Sequence, residues 1–402
     1  MTLKILLTAD QYYPPTLGGS AIATRRLAHG LAERGHQVYV LAPSTAFRHS
    51  IEKDGKTVII RCRSIPALHL RRYLNRHQIR VALVPDGVVE RTILKIEPDV
   101  IHIQLPAYIG AIAARVGKRL GIPLVATNHA MPENMLPTQN KDNFAFKLVG
   151  KRFWEETIKL CESCDCVIAP SITACDMLFR NGLNKQSVPI SNGVDLQVFH
   201  PPASPAEKVA LRKRFHLPQD KTLILYAGRL AVEKRLDVLV DAMSAVVEKT
   251  NAHLVFTGTG STEIQERVAS RGLDEHVSFT GMLDDQLFPL IYRAVDLFAI
   301  PSEAELQGIV LLEAAASGLP LVGANAQAIP ELIKHEQNGF LFAPGNVEEL
   351  SKRLIELVED PELRASMGES SLRLVQAHAI EACVEQNESV YLSVLGAAEK
   401  KE

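Results

Sequence analysis

The segment 297-LFAIPSEAELQGIVLLEAAASGLP-320 decides how the rest of the chain is read. Leu297 to Ile300 is a short apolar run, which predicts a buried strand. Pro301-Ser302 stops it, and a polar loop runs from Glu303 to Gln307. Gly308 then opens an almost wholly apolar helix that closes at Ser317-Gly318, with Pro320 beyond. A strand thus delivers a glycine loop onto a helix N-terminus. The amides of Gly308, Ile309 and Val310 and the positive end of the helix dipole there suit a phosphate. Two carboxylates, Glu305 and Glu313, flank that spot in the spacing E-x7-E. A carboxylate only accepts hydrogen bonds. Beside a pyrophosphate it would repel the ligand unless it faced hydroxyls, so a sugar or a ribose diol is its natural partner. The blander reading is a capped core helix with one solvated glutamate. Against it, Glu313 stands between Leu312 and Ala314 in a helix with little polar face to spare.

The stretch ELQGIVLLEAAASGLP also resembles the E-x7-E signature of glycosyltransferase family 4, retaining enzymes with the GT-B fold. That resemblance implies an α/β chain of two Rossmann-like, doubly wound parallel-sheet domains facing a central cleft, with a C-terminal helix crossing back to the first domain. It places a nucleotide-sugar donor between the domains.

Upstream of the signature, the strand expected at Thr222 to Ala227 leads into GRLAVEKRLDVLVDAM. Arg229 and Lys234 follow its end and are a reasonable clamp for a pyrophosphate. The alternative is a surface ion pair with the neighbouring Glu233. The R-x4-K spacing after a glycine matches the family pattern. Gly258-Thr259-Gly260 follows another strand, but Glu263 stands where a dinucleotide fingerprint needs its third glycine. It reads as an ordinary βα loop. After the strand at Val277 to Thr280 come Met282 and Leu283, whose backbone the resemblance places at the nucleotide base.

The chain opens with a strand at Ile5 to Ala9, the loop QYYPPTLGGS, a helix from about Ala21 to Glu33 and a strand at Val38 to Ala42. This is a βαβ start to a parallel sheet. Gly18 and Gly19 follow the first strand's carboxyl end, where open α/β sheets bind ligands. A plain turn explains them equally well by themselves. The order of glycine loop, helix and RGHQVYVLAP is what family 4 chains show, with the glycine loop near the donor phosphates and the acceptor. A strand at Leu124 to Thr127 leads into NHAMPENMLP, which puts His129 at the same end of the sheet. His129 matches a histidine that the family uses near the transferred sugar. Glu133 in that loop is a weaker candidate.

A chain of 402 residues predicts two domains of about 200 residues each. Pro201 to Pro205 reads as a linker. The expected division is an acceptor-binding domain at 1–198, a nucleotide-sugar domain at 199–379 and a returning helix at 380–402. Residues 1–200 carry a net +9 and the remainder −11. The basic half could face anionic lipid, whereas no interleaving of aromatic and basic residues argues for nucleic acid. His69 to Arg80 holds four arginines, two histidines and no acid. Met1 to Lys4 runs directly into a strand and no apolar run nears membrane-spanning length, which predicts a cytoplasmic protein, peripheral on the membrane at most. The cluster CESCDC lacks a second ligand pair and a nearby histidine, so reduced thiols are expected rather than zinc.

The resemblance therefore implies transfer of a sugar from a UDP- or GDP-hexose to an acceptor hydroxyl, with retention. It implies catalytic roles for His129, Arg229, Lys234 and Glu305, a ribose contact from Glu313, and no metal or other cofactor. Most relatives carry Phe where Gln307 stands and Met where Ala315 stands. The Q-G pair resembles the subgroup that glycosylates diacylglycerol, so a membrane lipid is the expected acceptor. A soluble or polysaccharide acceptor, a nucleotide-sugar epimerase of similar fold, and a non-catalytic subunit are the alternatives.

Overall fold

The computed structural model describes residues 1–14, 18–66, 80–83, 86–105, 107–135 and 144–399. They form two compact units, one of 1–193 with the helix from Ile380, the other of 194–379.

The strands of the first unit are β1 (Lys4–Thr8), β2 (Gln37–Pro43), β3 (Ser50–Asp54), β4 (Thr57–Cys62), β5 (Ser64–Pro66), β6 (Arg80–Ala82), β7 (Val100–Ile103), β8 (Leu124–Thr127), β9 (Cys166–Ala169) and β10 (Ser187–Pro189). Eight of them make one sheet in the order β3-β4-β2-β1-β7-β8-β9-β10, and β5 pairs with β6 alone. Every pairing in the large sheet is parallel except β3 with β4. The central strands are continuous apolar runs because helices cover both faces. One face packs on the helix Gly19–Glu33 and the C-terminal helix Ile380–Glu399, through Leu27, Ala28, Leu31, Cys383, Val384 and Tyr391. Gly30 lets those two helices touch, since a Cβ there would lie 2.4 Å from Val384 Cγ2.

The second unit holds β11 (Thr222–Ala227), β12 (Ala252–Thr257), β13 (Val277–Gly281), β14 (Leu297–Ile300), β15 (Leu321–Ala324) and β16 (Gly339–Phe342). They form one parallel sheet in the order β13-β12-β11-β14-β15-β16. That is the doubly wound order 3-2-1-4-5-6, with its reversal between β11 and β14. The first sheet reverses between β1 and β7. Loops at the carboxyl ends of the strands on either side of a reversal diverge to opposite faces and leave a crevice.

The units divide at Gly193/Val194, not at the expected 198/199. Val194 donates to His378 O and bridges to Ala379, so 194–198 joins the second sheet's neighbourhood before the prolines begin. The strands β3 and β10 carry no strong apolar pattern; they were not expected from sequence, and neither was the helix Asp86–Ile96, although it buries Val89, Ile93 and Ile96 on one face. β3 (SIEKD) exposes most of its residues at a sheet edge, and β10 (SVP) pairs only with β9. Edge strands need no apolar face of their own.

Candidate functional site

The second unit gathers one set of charged residues, Arg229, Glu233, Lys234, Arg235, Glu303 and Glu305, at the β11/β14 reversal. Gly228 ends β11 with φ 138°, and Arg229 follows. Its loop is fastened backbone to backbone. Gly228 N donates to Thr257 O, Leu230 N to Thr259 O and Ser261 N to Leu230 O, each at 2.9–3.0 Å. Gly258 N in turn donates to Gly281 O at 2.8 Å. The glycines at 258 and 260 exist for this contact, since a Cβ at either would fall 1.9 Å from Gly228 O or Leu230 O. The G-x-G pair is thus a loop-to-loop contact. It holds the backbone that carries Arg229, and Tyr226 Oη donates to Arg229 O at 2.9 Å.

Lys234 ends the 3-10 turn Val232–Lys234, and the following helix starts at Leu236, two residues later than expected. Arg235 between them is left-handed, φ 52°. The cations in this stretch each meet a carboxylate. Arg229 pairs with Glu233 at 2.8 Å, Lys234 with Glu305 at 2.6 Å, and Arg235 with Glu303 and Asp237. Both residues of the expected clamp are thus ion-paired, each in a different way. Arg229 is partnered by its neighbour Glu233, while Lys234 reaches across the sheet reversal to Glu305.

Gly308 caps the helix Ile309–Ala316 with φ 83°, a conformation that glycine alone adopts without strain. Among the described residues the amides of Gly308, Ile309 and Val310 meet no acceptor, so three donors point out of the helix start. Glu313 is 1% exposed. Tyr292 Oη donates to its Oε2 at 2.9 Å, so the carboxylate sits under the loop, tethered from the preceding helix. Met282 is exposed at the end of β13, and Leu283 packs against the core.

In the first unit Gly18 has extended backbone (φ −151°) and caps the helix Gly19–Glu33. A Cβ on Gly18 would meet only Gln11 Oε1, at 3.7 Å. Its local fold has no need of glycine, unlike that of Gly258 or Gly260. His129, half-buried just past β8, lies 3.0 Å from Gln104 Oε1 through its Nε2. Burial pulls its imidazole down to about 4, so it is neutral near pH 7. Glu133 buries Oε2 without a hydrogen-bond partner among the described residues. A cavity of about 20 Å3, room for one water, touches His129, Gln104, Thr127, Ser191, Asn192 and Asn387.

Sequence reasoning missed Asp10, His102, Gln104 and Tyr391. Asp10 lies two residues past β1 and accepts from Ile109 N at 2.9 Å and Gly110 N at 3.4 Å. It supplies the cap that the helix Tyr108–Arg119 lacks at Ala107. Burial pushes its carboxyl up to about 6 against those amides. His102 and Gln104 stand on one face of β7 by strict alternation, a signal visible in VIHIQ.

Most of the basic segment, 69–79, lies outside the described residues. Arg80 is described and is already engaged, donating to Ser64 Oγ at 2.7 Å and Ser64 O at 2.9 Å. These bonds fasten β6 to β5 and leave Arg80 half-buried. Among the described residues no helix is long and apolar enough to cross a membrane, and no cluster of His, Cys, Asp or Glu is arranged to hold a metal ion. All six cysteines are free thiols.

Residues 17–198 match the family model of Glycosyltransferase Family 4, and residues 207–373 that of Glycosyl transferases group 1. The chain is 30% identical to the sulfoquinovosyl transferase of Arabidopsis thaliana, across 85% of this chain and 64% of that one. It is 25% identical to the alpha-monoglucosyldiacylglycerol synthase of Acholeplasma laidlawii, across 98% of both. The solved structure of a sucrose-phosphate synthase from Thermosynechococcus elongatus superposes with a TM-score of 0.81 at 21% identity, covering 98% of this chain and 100% of that one. The two Rossmann-like sheets are those of the GT-B fold.

Proposed function

Because this chain belongs to the glycosyltransferases, a family 4 domain followed by a group 1 domain, we propose that it moves a hexose from a UDP- or GDP-sugar to the hydroxyl of a membrane lipid, with retention. The observation that carries the donor half is the convergence at the β11/β14 reversal. Cations from one loop, carboxylates from the other and three open amides meet there.

A nucleotide diphosphate needs its negative charge matched and its hydroxyls accepted. The amides of 308–310 and the side chains of Arg229 and Lys234 take the pyrophosphate. As the anomeric C–O bond breaks, these donors stabilise the charge that collects on the departing phosphate. They do so without a metal ion or other cofactor. Glu305, released from Lys234 by the incoming phosphate, accepts sugar hydroxyls. Glu313, beneath the loop, accepts from the ribose. Met282 and Leu283 lie against the base, and Gly18 and Gly19 give the phosphates and acceptor a surface without side chains. His129 orients a sugar hydroxyl. The acceptor oxygen attacks from the face the phosphate leaves, and its proton passes to the departing phosphate oxygen. No side chain is assigned as a covalent nucleophile.

A relative whose name specifies monoglucosyldiacylglycerol synthesis supports the lipid acceptor. Arg71, Arg72 and Arg76 supply three cations for an anionic leaflet, about 1 kcal/mol each. That suffices for reversible attachment only. The protein is incubated with UDP- or GDP-hexose, with and without vesicles of diacylglycerol and anionic phospholipid. Nucleotide release that requires the vesicles, with an α-linked glycolipid product from an α-linked donor, is the expected result. An epimer formed without acceptor identifies the epimerase alternative. Transfer to soluble sugars, with none to lipid, overturns the lipid acceptor. A supernatant protein at low salt overturns membrane attachment.

A further inference from the structure

The first unit contains a polar network of which the steps above use only His129. Strand alternation sets His102 and Gln104 on one face of β7, and Thr127 and His129 on the same face of β8 and its extension. That face lies under the C-terminal helix, from which Tyr391, fully buried, reaches in. Tyr391 Oη is 2.7 Å from His102 Nδ1, and Thr127 Oγ1 is 2.7 Å from His102 Nε2. The Tyr391 and His102 rings meet edge to face at 5.6 Å. The Gln104 amide nitrogen lies over the His102 ring, 3.1 Å from both of its nitrogens. The Gln104 carbonyl then points at His129 Nε2, 3.0 Å away.

We propose that Tyr391, His102 and Gln104 form a positioning network that holds His129 with its proton on Nε2 and its Nδ1 lone pair free to accept a hydroxyl of the transferred sugar. An amide oxygen only accepts, so the short contact to His129 Nε2 makes that nitrogen the donor. Among the described residues Nδ1 has no partner. Burial holds His102 down to about 3 and His129 to about 4, so both rings are neutral and each has one donor and one acceptor. Which nitrogen accepts is then a real choice, and the partner of the other nitrogen makes it. A carboxylate in place of Gln104 would favour imidazolium. The neutral amide selects an orienting acceptor instead. The C-terminal helix is in this way part of the site through one phenol.

The proposal rests on the reading that His129 contacts the sugar, and the test separates the two. The full chain, labelled with 15N-histidine, is examined by long-range proton–nitrogen correlation to read the His129 tautomer. Donor turnover is measured on the same samples. The wild type shows the Nε2–H form. Gln104→Met loses that single tautomer and lowers kcat by about a hundredfold, the size of a misplaced catalytic contact, with KM for donor little changed. Gln104→Glu keeps an oxygen at the same place but adds a charge that favours the imidazolium, so both nitrogens carry protons, the Nδ1 lone pair is lost and kcat falls as well. Tyr391→Phe removes only the far hydroxyl and lowers kcat in the same direction, which keeps the test open should Gln104→Met fail to fold. A wild-type proton on Nδ1, or a tautomer unchanged in Gln104→Met, overturns the positioning network by itself. A changed tautomer with undiminished turnover overturns the sugar contact of His129, and the network's purpose with it.

Discussion

Lys234 Nζ lies 2.6 Å from Glu305 Oε1, and both side chains are only 13% exposed. The ammonium that should meet a phosphate is held by the carboxylate that should meet the sugar. On the proposed reading, a donor pyrophosphate entering here competes with Glu305 for Lys234, and success turns Glu305 toward hydroxyls.

Glu305→Gln therefore removes a competitor and a source of repulsion. Calorimetric titration of UDP or GDP is expected to show affinity equal to or above that of the wild type, while turnover falls. Lys234→Ala is expected to lose turnover by about a hundredfold, the cost of one preorganised charge contact. It also leaves Glu305 unpaired, at a stability cost on the order of 2 kcal/mol. Weaker nucleotide binding in Glu305→Gln would show that Glu305 helps the phosphate site instead of competing with it.

Much of this was legible in the chain itself, and the reasons differ by residue. Leu297 to Ile300 and Thr222 to Ala227 are uniformly apolar because both faces of a parallel sheet are buried, so their strands were read correctly. The helix start at Gly308 was read from its sequence, whereas the left-handed conformation there was not. The pairing of Lys234 with Glu305 was not readable. The two lie 71 positions apart, and only the strand order β11-β14 makes them neighbours. Gln104 and His102 were passed over because a polar pair inside VIHIQ looks like an ordinary strand end. Tyr391 enters their network from 289 positions away. Pairwise charge and distant burial are properties of topology, which local periodicity does not encode.

Gly18 and Gly260 make a contrasting pair. Gly18→Ala adds a methyl with ordinary backbone and a nearest contact of 3.7 Å, so the melting temperature should not change. Any loss of transfer then reports a ligand pressed against that loop. Gly260→Ala drives a methyl to 1.9 Å from Leu230 O, and must part the loops that carry Arg229. It is expected to cost about 3 kcal/mol of stability and to weaken nucleotide binding. Melting curves and nucleotide titration on the two variants check both statements. Equal melting temperatures for wild type and Gly260→Ala would refute the loop contact.

Glu313 and Tyr292 need separate treatment, because truncating a buried partner confuses binding with folding. Glu313→Ala would strip the acceptor from the Tyr292 hydroxyl and leave a void, so lost affinity would prove little. Glu313→Gln keeps the shape and an acceptor. Tyr292→Phe keeps the carboxylate and removes its tether. The ribose contact predicts a greater loss of nucleotide affinity in Glu313→Gln than in Tyr292→Phe. Comparable losses of stability, about 1 kcal/mol, are expected in both. The reverse order of affinities would assign Glu313 to packing.

The last expectation concerns acid. His102 and His129 are held down to about 3 and about 4 in the folded protein, against 6.5 for a free imidazole. Their stabilising contribution is present above 6.5 and is lost as pH falls, because the unfolded chain takes up protons the folded one refuses. Asp10 opposes them. Its carboxyl is raised from 3.8 to about 6, so its contribution is present below 3.8 and is lost as pH rises through 6. Between pH 6 and pH 4 each such group changes stability by about 1.4 kcal/mol per pH unit. Two histidines outweigh one carboxyl, and the first unit should weaken on acidification. Asp10→Asn keeps an oxygen for the amides of Ile109 and Gly110 but abolishes the opposing titration. Its loss of stability toward pH 4 should be steeper than that of the wild type by about 1.4 kcal/mol per unit. Other groups titrate alike in both proteins and cancel in the difference. Denaturant unfolding at a series of pH values gives the two slopes. A shallower slope for Asp10→Asn would mean that the amide donors, not burial, govern Asp10, and that its folded form is the carboxylate.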